Sequence, residues 1–343
     1  MRIAHIHAPL IGAIPDCYLP KAKDEEWLQA RIAAFAEACK EAVLQKAEWI
    51  LLTGNLFAEG YVTDAIVSKI LDILRETALC FVWREDAIGS AYLRHKSELP
   101  PHFYRLSHGK REEFLLREAL ISCSSLSSLS RDTSVLLFEE AEKLEEETLL
   151  TLKENFPRLQ YVITPTKHYI WKEGSFVGEE LVKLEGTDFE DENGSGYYLL
   201  DLQEERGESV PFQKIERATY HFRTLRVEVE SEDDTTAVYR KCTLATRGLG
   251  KRDFVRIELQ GLTAVERFLN PNLIQERLED RFFYLELFNN CKLELDEAAY
   301  ANDISLKSEF VRSVLAADSL SEAEKGRILP CGFHALEGEE VSE

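Results

Sequence analysis

The chain has 343 residues, 45% of them hydrophobic, which is enough for a sizeable buried core and for two domains. Its 41 Lys and Arg against 62 Asp and Glu leave a formal net charge of −21, so the averaged field repels nucleic-acid phosphates and anionic membranes. Met1-Arg2-Ile3-Ala4-His5-Ile6 reads straight into strand-like sequence without an apolar leader, and no apolar run approaches the roughly 20 residues of a membrane span, so a cytoplasmic protein with no membrane partner is expected.

In chain order, Arg2–His7 reads as a short strand, followed by a loop carrying Gly12, Pro15 and Pro20. Leu28, Ile32, Phe35, Cys39 and Val43 recur at spacings of three and four, which predicts a helix over Asp24–Ala47 with Asp24 as its N-cap. The apolar run Trp49–Thr53 predicts a buried strand ending in a sharp turn at Gly54-Asn55. A helix follows over Thr63–Thr77, with Ile66, Ile70, Ile73 and Leu74 on one side, then a strand over Leu79–Trp83. This β-α-β-α-β opening favours a layered α/β fold with ligands at the strand C-termini.

Strands are predicted again over Ala119–Cys123, Ser134–Phe138 and Gln160–Thr164. An amphipathic helix over Glu139–Asn155 carries Glu139, Glu140, Glu142, Glu145, Glu146 and Glu147 as a solvated face. From about residue 175 the texture changes to strands without long helices between them: Phe176-Val177, Gly196–Leu202, Phe212–Ile215 and Phe222–Val229, expected as a second sheet packed on the first. Ser231–Asp234 is the candidate linker. Beyond it come a strand over Arg256–Gly261, a helix over Asn272–Asp280, an apolar strand over Phe282–Phe288, a helix over Phe310–Ala317 and a frayed acidic end, Glu337–Glu343. Seven scattered cysteines without a C-x-x-C pair read as small buried thiols rather than a zinc site or a disulfide framework.

The strand ends can be compared as a set. "MRIAHIHAPLIG" at residues 1–12, "LLTGNLF" at 51–57, and the segment from Gln160 to Leu202 that begins "QYVITPTKHYIW" resemble, in order and spacing, calcineurin-like metallophosphoesterases, specifically the nuclease subunit of the bacterial SbcCD complex. The resemblance covers roughly residues 1–230 and implies two packed sheets flanked by helices, with residues 231–343 as a small α+β capping domain and a C-terminal helical tail. Phosphoester hydrolysis in that family is two-metal chemistry, which needs several carboxylate and imidazole ligands, one carboxylate being shared between ions about 3.5–4 Å apart.

On this sequence the first motif's aspartate falls at Ala8 and its histidine at Leu10, and the shared aspartate falls at Asn55, whose amide is a weak neutral ligand. Asp86 is the only remnant expected of the third motif, beside Arg84. The last motif maps onto Pro165-Thr166-Lys167-His168, so that Thr166 replaces one ligand and His168 alone remains. The vestigial positions are therefore Ala8, Leu10, Asn55, Asp86, Thr166 and His168, and no metal or other cofactor is expected. The resemblance implies a catalytically inactive binding or scaffolding subunit in DNA repair, beside an SbcC-like coiled-coil ATPase.

Other readings compete with this one. His5, His7, Asp86 and His168 are candidate ligands of a rebuilt zinc or manganese site, which would make the chain a metal-dependent exonuclease or phosphodiesterase. Arg84 and Lys167 are candidate phosphate contacts in a metal-free cleft, which would make it a phosphate-ligand or nucleotide sensor. The stretch 240–256 sets six cations, Arg240, Lys241, Arg247, Lys251, Arg252 and Arg256, against the single carboxylate Asp253. Within it Arg247, Lys251 and Arg252 are the candidate contacts to a DNA backbone or a partner, while a plain charged hairpin is the alternative. A homodimer is left open. Phe282-Phe283-Tyr284 reads as core rather than as a base-stacking platform.

Overall fold

A computed structural model of the chain describes all residues except 61, 94–98, 108–111, 118, 139–142, 192–193, 265–268, 296–299, 302 and 338–343. Two compact units partition the chain, Met1–Tyr220 and His221–Glu343.

The first unit opens as the periodicity predicts, with β1 (Arg2–His7), α1 (Lys21–Leu44), β2 (Trp49–Thr53), α2 (Asp64–Glu76) and β3 (Cys80–Arg84). Helix α1 starts three residues before the expected cap: Pro20 stands at its N-cap without a side-chain bond, and Asp24 lies in the first turn, where its charge complements the helix dipole. Thr63 caps α2, its hydroxyl accepting from Ile66 N at 3.4 Å.

Between β3 and the next predicted strand lie three elements that periodicity did not reveal, α3 (Ala87–Leu93), β4 (Phe103–Leu106) and β5 (Glu112–Leu116). Then come β6 (Ala119–Cys123), β7 (Thr133–Leu137), α4 (Glu146–Asn155), β8 (Tyr161–Ile163), β9 (Lys167–Lys172), β10 (Ser175–Glu180), β11 (Gly196–Asp201) and β12 (Phe212–Glu216). The expected helix over 139–155 is thus helical from Glu146; Glu139, Glu140 and Glu142 lie outside the described residues, as does most of the acidic end, 338–343.

These strands make two six-stranded sheets, ordered β12-β11-β1-β2-β3-β4 and β10-β9-β8-β7-β6-β5. In the first, β1 to β4 run parallel and β11 lies antiparallel beside β1, with Ala4 opposite Leu199 and His5 opposite Tyr198. The expectation that 196–202 and 212–215 build a second sheet is corrected here: β11 and β12 widen the first. The second sheet comes from residues 112–180.

Alternation along each strand assigns its faces. Ile3, Leu51, Val82 and Leu200 from the first sheet share one apolar layer with Ile121, Val135, Leu137 and Ile170 from the second, so the two sheets pack face to face. On the other side of the first sheet, Ala4, Ile6, Ile50 and Leu52 meet Phe35, Ala38 and Cys39 of α1 and Ile66, Ile70 and Leu74 of α2. The outer side of the second sheet, with Leu136 and Val162, is covered by Leu152 of α4 and by Phe156. The result is a helix–sheet–sheet–helix layering of mixed α/β type.

The second unit holds β13 (His221–Val229), α5 (Thr235–Ala245), β14 (Asp253–Ala264), α6 (Pro271–Leu278), β15 (Tyr284–Asn289), β16 (Lys292–Glu294), α7 (Leu306–Leu315) and α8 (Glu322–Glu337). β13, β14 and β15 are parallel neighbours, and β16 pairs with the end of β14. The strand at 222–229 therefore belongs to this sheet, and the division falls at Tyr220 and His221 rather than at 230. Ser231–Asp234, expected as a linker, is the turn into α5, where Asp234 caps the helix by accepting from Ala237 N at 2.7 Å. Phe282 and Phe283 are buried, as a core role requires. All seven cysteines are free thiols; Cys39, Cys123 and Cys242 are buried, while Cys331 is exposed. No helix among the described residues is long and apolar enough to cross a membrane.

Inside the first unit, Arg31 of α1 is almost wholly buried (1% exposed) and spends its guanidinium on backbone carbonyls. Nε donates to Leu10 at 3.2 Å, Nη1 to Gly186 at 2.8 Å, and Nη2 to Pro9 at 3.1 Å and Glu185 at 3.4 Å. Arg31→Met is expected to strand these acceptors and lower stability by roughly 3 kcal/mol, read as a shift in the urea midpoint at constant slope.

Candidate functional site

The β1 strand does not stop at His7. It runs into a turn whose amides pair onward with the turn after β2: Ala8 N donates to Thr53 O at 2.8 Å, Leu10 N to Asn55 O at 3.1 Å and Ile11 N to Leu56 O at 2.9 Å. Ala8 and Leu10 take φ values of 44° and 48°, the left-handed region that L side chains rarely occupy. Gly54 sits opposite with φ 66°, and a Cβ there would lie 2.9 Å from His7 Cε1. The glycine is required both by its dihedral and by the imidazole it faces.

A cavity of about 490 Å³ opens at this end of the first unit, in the size range of small-ligand sites. His7, Ala8, Leu10, Asn55, Arg84 and Asp86 line it from the first sheet, and Phe138, Ile163 and Thr164 from the second. Ala8, Leu10, Asn55 and Asp86 thus line one cavity. Thr166 and Lys167 are not among the lining residues: Thr166 is exposed in the turn before β9, and Lys167 lies on that strand opposite Glu180. His168 is fully buried on β9.

Two charged lining residues are committed to the fold. Asp86 accepts from Gly89 N at 2.6 Å and from Leu56 N at 3.2 Å, so it ties the start of α3 to the turn after β2. Burial pushes its carboxyl up, and the amides that bond it act against that shift. The Arg84 Nη1 donates to the carbonyls of Leu106, at 3.2 Å, and Ser107, which fasten the end of β4. Glu85 faces Arg105 at 3.7 Å.

The histidines do not converge on a point. They form a line. His7 Nδ1 lies 2.9 Å from Thr53 Oγ1, which lies 2.7 Å from His5 Nε2; His5 Nδ1 lies 2.9 Å from Tyr161 Oη, which lies 2.7 Å from His168 Nδ1. Both His5 nitrogens and both Asp86 oxygens are therefore engaged within the protein, so the set His5, His7, Asp86 and His168 is not arranged as a ligand shell. Among the described residues no group of three or more His, Cys, Asp or Glu side chains is placed to hold a metal ion.

Burial governs the protonation of this line. It pushes His7 down to about 4, with the neighbouring His168 and Lys183 adding to the effect, and pushes His168 down to about 4. Burial, reinforced by His7 and His168, holds His5 well below its ordinary value, and the buried Tyr161 hydroxyl lies well above its own. Thr53 and Tyr161 escaped the sequence reading because each sits in an apolar strand and passes for core. The one available signal was a polar atom on an inward-facing position at the same depth as the histidines.

In the second unit the basic stretch is partly neutralised. Lys241 pairs with Asp233 at 2.6 Å and with Glu230 at 3.5 Å, and Arg256 pairs with Glu286. Lys251 donates to the Asp280 carbonyl. Arg240, Arg247, Lys251 and Arg252 are exposed along α5 and the turn that leads into β14. That segment is a helix–turn–strand connection rather than a hairpin.

No protein-family model matches the sequence, and no curated protein matches it.

The neutral histidines predict an acid-labile first unit. Below pH 6.5 the unfolded chain binds protons that folded His7 and His168 refuse until about pH 4. Stability is therefore fully present above pH 6.5 and falls as pH drops through that window, by up to about 3 kcal/mol for each histidine. Urea titrations at pH 7.5, 6.0 and 5.0 are expected to show a falling midpoint, and the fall is expected to shrink in His168→Asn.

Proposed function

We propose that the chain is a metallophosphoesterase-like protein of the SbcCD-nuclease type that has lost its hydrolytic centre and works as a binding or scaffolding subunit in DNA repair, beside a coiled-coil ATPase. The observation that carries this reading is the turn at 8–10. Two non-glycine residues are held in left-handed conformation at a cavity mouth, yet their side chains are a methyl and an isobutyl group. Backbone strain at a cavity mouth is a pointer to a site, and here neither side chain carries a ligating atom. A shared bridging position filled by the Asn55 amide supplies no charge to hold two dications together. The helix–sheet–sheet–helix layering and the position of the cavity at strand C-termini agree with the proposed ancestry.

Arg240, Arg247, Lys251 and Arg252 are the surface through which this reading admits a DNA backbone, against the net charge of the rest of the chain. The phosphate-sensor alternative is weaker, since Lys167 stands away from the cavity lining and Arg84 donates to two carbonyls.

Calorimetric titration of the metal-stripped protein with Mn²⁺ tests the reading. The wild type is expected to give no site-specific heat and no Mn²⁺-dependent hydrolysis of bis-p-nitrophenyl phosphate. The triple variant Ala8→Asp, Leu10→His, Asn55→Asp is expected to gain Mn²⁺ binding, because the backbone for it is in place. Wild-type binding and hydrolysis that vanish in His7→Ala would overturn the inactive-subunit reading.

A further inference from the structure

We propose that His7, Thr53, His5, Tyr161 and His168 form one directional hydrogen-bond chain that presents a lone pair at His7 Nε2 to a ligand in the cavity and passes an accepted proton out at His168 Nε2, beside Glu179. This inference stands independently of the phosphoesterase reading.

The direction follows from counting hydrogens. Thr53 has one hydroxyl proton and two imidazole neighbours, at 2.7 and 2.9 Å, and Tyr161 has one phenolic proton and two imidazole neighbours, at 2.9 and 2.7 Å. Neutral His5 carries one N–H, so it donates at one end and accepts at the other. Only two fully bonded neutral arrangements exist. In the first, His7 Nδ1–H donates to Thr53, Thr53 to His5 Nε2, His5 Nδ1–H to Tyr161, and Tyr161 to His168 Nδ1, leaving Nε2–H on His168. In the second, every donor is reversed.

Glu179 chooses between them. Its Oε2 lies 3.8 Å from His168 Nε2, an atom with no hydrogen-bond partner among the described residues. The first arrangement points an N–H at that carboxylate, and the second points a buried lone pair at it. Tyr198, which packs against both His5 and His168, cannot intervene, because its hydroxyl accepts from Val182 N at 2.8 Å and donates to Glu180 O at 3.3 Å. In the selected arrangement His7 Nδ1 is the donor, and Nε2 is left as an acceptor on a residue that lines the cavity.

The proton balance closes. A proton bound at His7 Nε2 sends the Nδ1 proton to Thr53, the threonine proton to His5 Nε2, the His5 Nδ1 proton to Tyr161, the tyrosine proton to His168 Nδ1, and the His168 Nε2 proton out toward Glu179. One proton enters and one leaves, and the chain ends in the reversed arrangement. The ligand class this selects carries an O–H or N–H donor at the His7 position. A phosphodiester, which has acceptors only, meets a lone pair there.

Long-range ¹H–¹⁵N spectra of the full chain test the assignment, with ring signals assigned through His7→Gln and His168→Gln. His5 and His7 are expected to be protonated at Nδ1 and His168 at Nε2. Glu179→Gln changes a half-exposed surface side chain and is expected to leave the fold intact while moving the His7 Nε2 shift toward the protonated range. Ethanolamine, carrying both donor types, is expected to move the His7 Nε2 signal, and dimethyl phosphate is expected to leave it in place. His7 found protonated at Nε2 in the wild type, His7 signals indifferent to Glu179→Gln, or a response to dimethyl phosphate instead of ethanolamine would each overturn the proposal.

Discussion

Arg31 reaches from α1 into the interior and donates to four backbone carbonyls, two in the turn after β1 and two at residues 185 and 186. A planar guanidinium with five N–H groups can serve several carbonyls at fixed angles, which a lysine ammonium on a flexible stem does not do. The two carbonyls at Pro9 and Leu10 belong to the segment whose left-handed residues would otherwise relax. Burial pulls the guanidinium down to about 10, with Glu185 and Asp191 opposing, so it remains charged at neutral pH. Glu185 in turn takes Thr219 N and Oγ1 at 3.0 and 2.8 Å, extending the same anchorage to the end of the first unit. The turn at the cavity mouth and the segment at 185–186 are therefore tied to α1 by one cation.

Apolar packing between the two sheets would tolerate small slips of one against the other, since the layer is made of interchangeable aliphatic contacts. The line of histidines is less forgiving. Its bonds between His5 and Tyr161 and between His5 and Thr53 join β1 to β8 of the facing sheet and to β2 of its own. A shift of one residue in either strand would turn these side chains to the opposite face and leave buried donors unpaired. Polar groups in the interlayer thus fix the register that aliphatic groups leave loose.

The sequence was most legible where local pattern and tertiary role agree. β1 and β2 fall where the apolar runs place them, and α2 ends within a residue of its predicted limits, because Thr63 is a true cap and the apolar stripe of Ile66, Ile70 and Leu74 is the buried face. Pattern reading failed where a strand's neighbours are distant in sequence. Nothing local to Gly196–Asp201 says that it will lie against Arg2–His5, nearly the whole unit away, so it was placed in the wrong sheet. β4, only four residues long and with Tyr104 and Arg105 exposed, carries too little apolar signal to announce a strand, yet it pairs in parallel with β3. Of the candidate site, the turn and its apolar side chains at Ala8 and Leu10 could be read from the sequence. The fate of the charges could not, because whether Asp86 and Arg84 face a ligand or a backbone amide or carbonyl is decided by atoms tens of residues away.

That fate narrows what the cavity can do. With Asp86 bonded to amides, Arg84 donating to carbonyls and Glu85 facing Arg105, polar recognition from the first sheet falls chiefly to His7 and to the exposed Asn55 amide. Neither brings a fixed charge at neutral pH, so a ligand held here gains from hydrogen-bond direction and apolar contact with Leu10, Phe138 and Ile163 more than from Coulomb attraction. Such a site discriminates by which atoms donate and which accept. An unmatched donor or acceptor in a partly dry pocket is penalised more than a matched one is rewarded. A cavity whose first-sheet polar lining consists chiefly of oriented neutral groups is suited to recognition, and the same buried imidazoles that orient it make its integrity depend on staying above the pH at which they protonate.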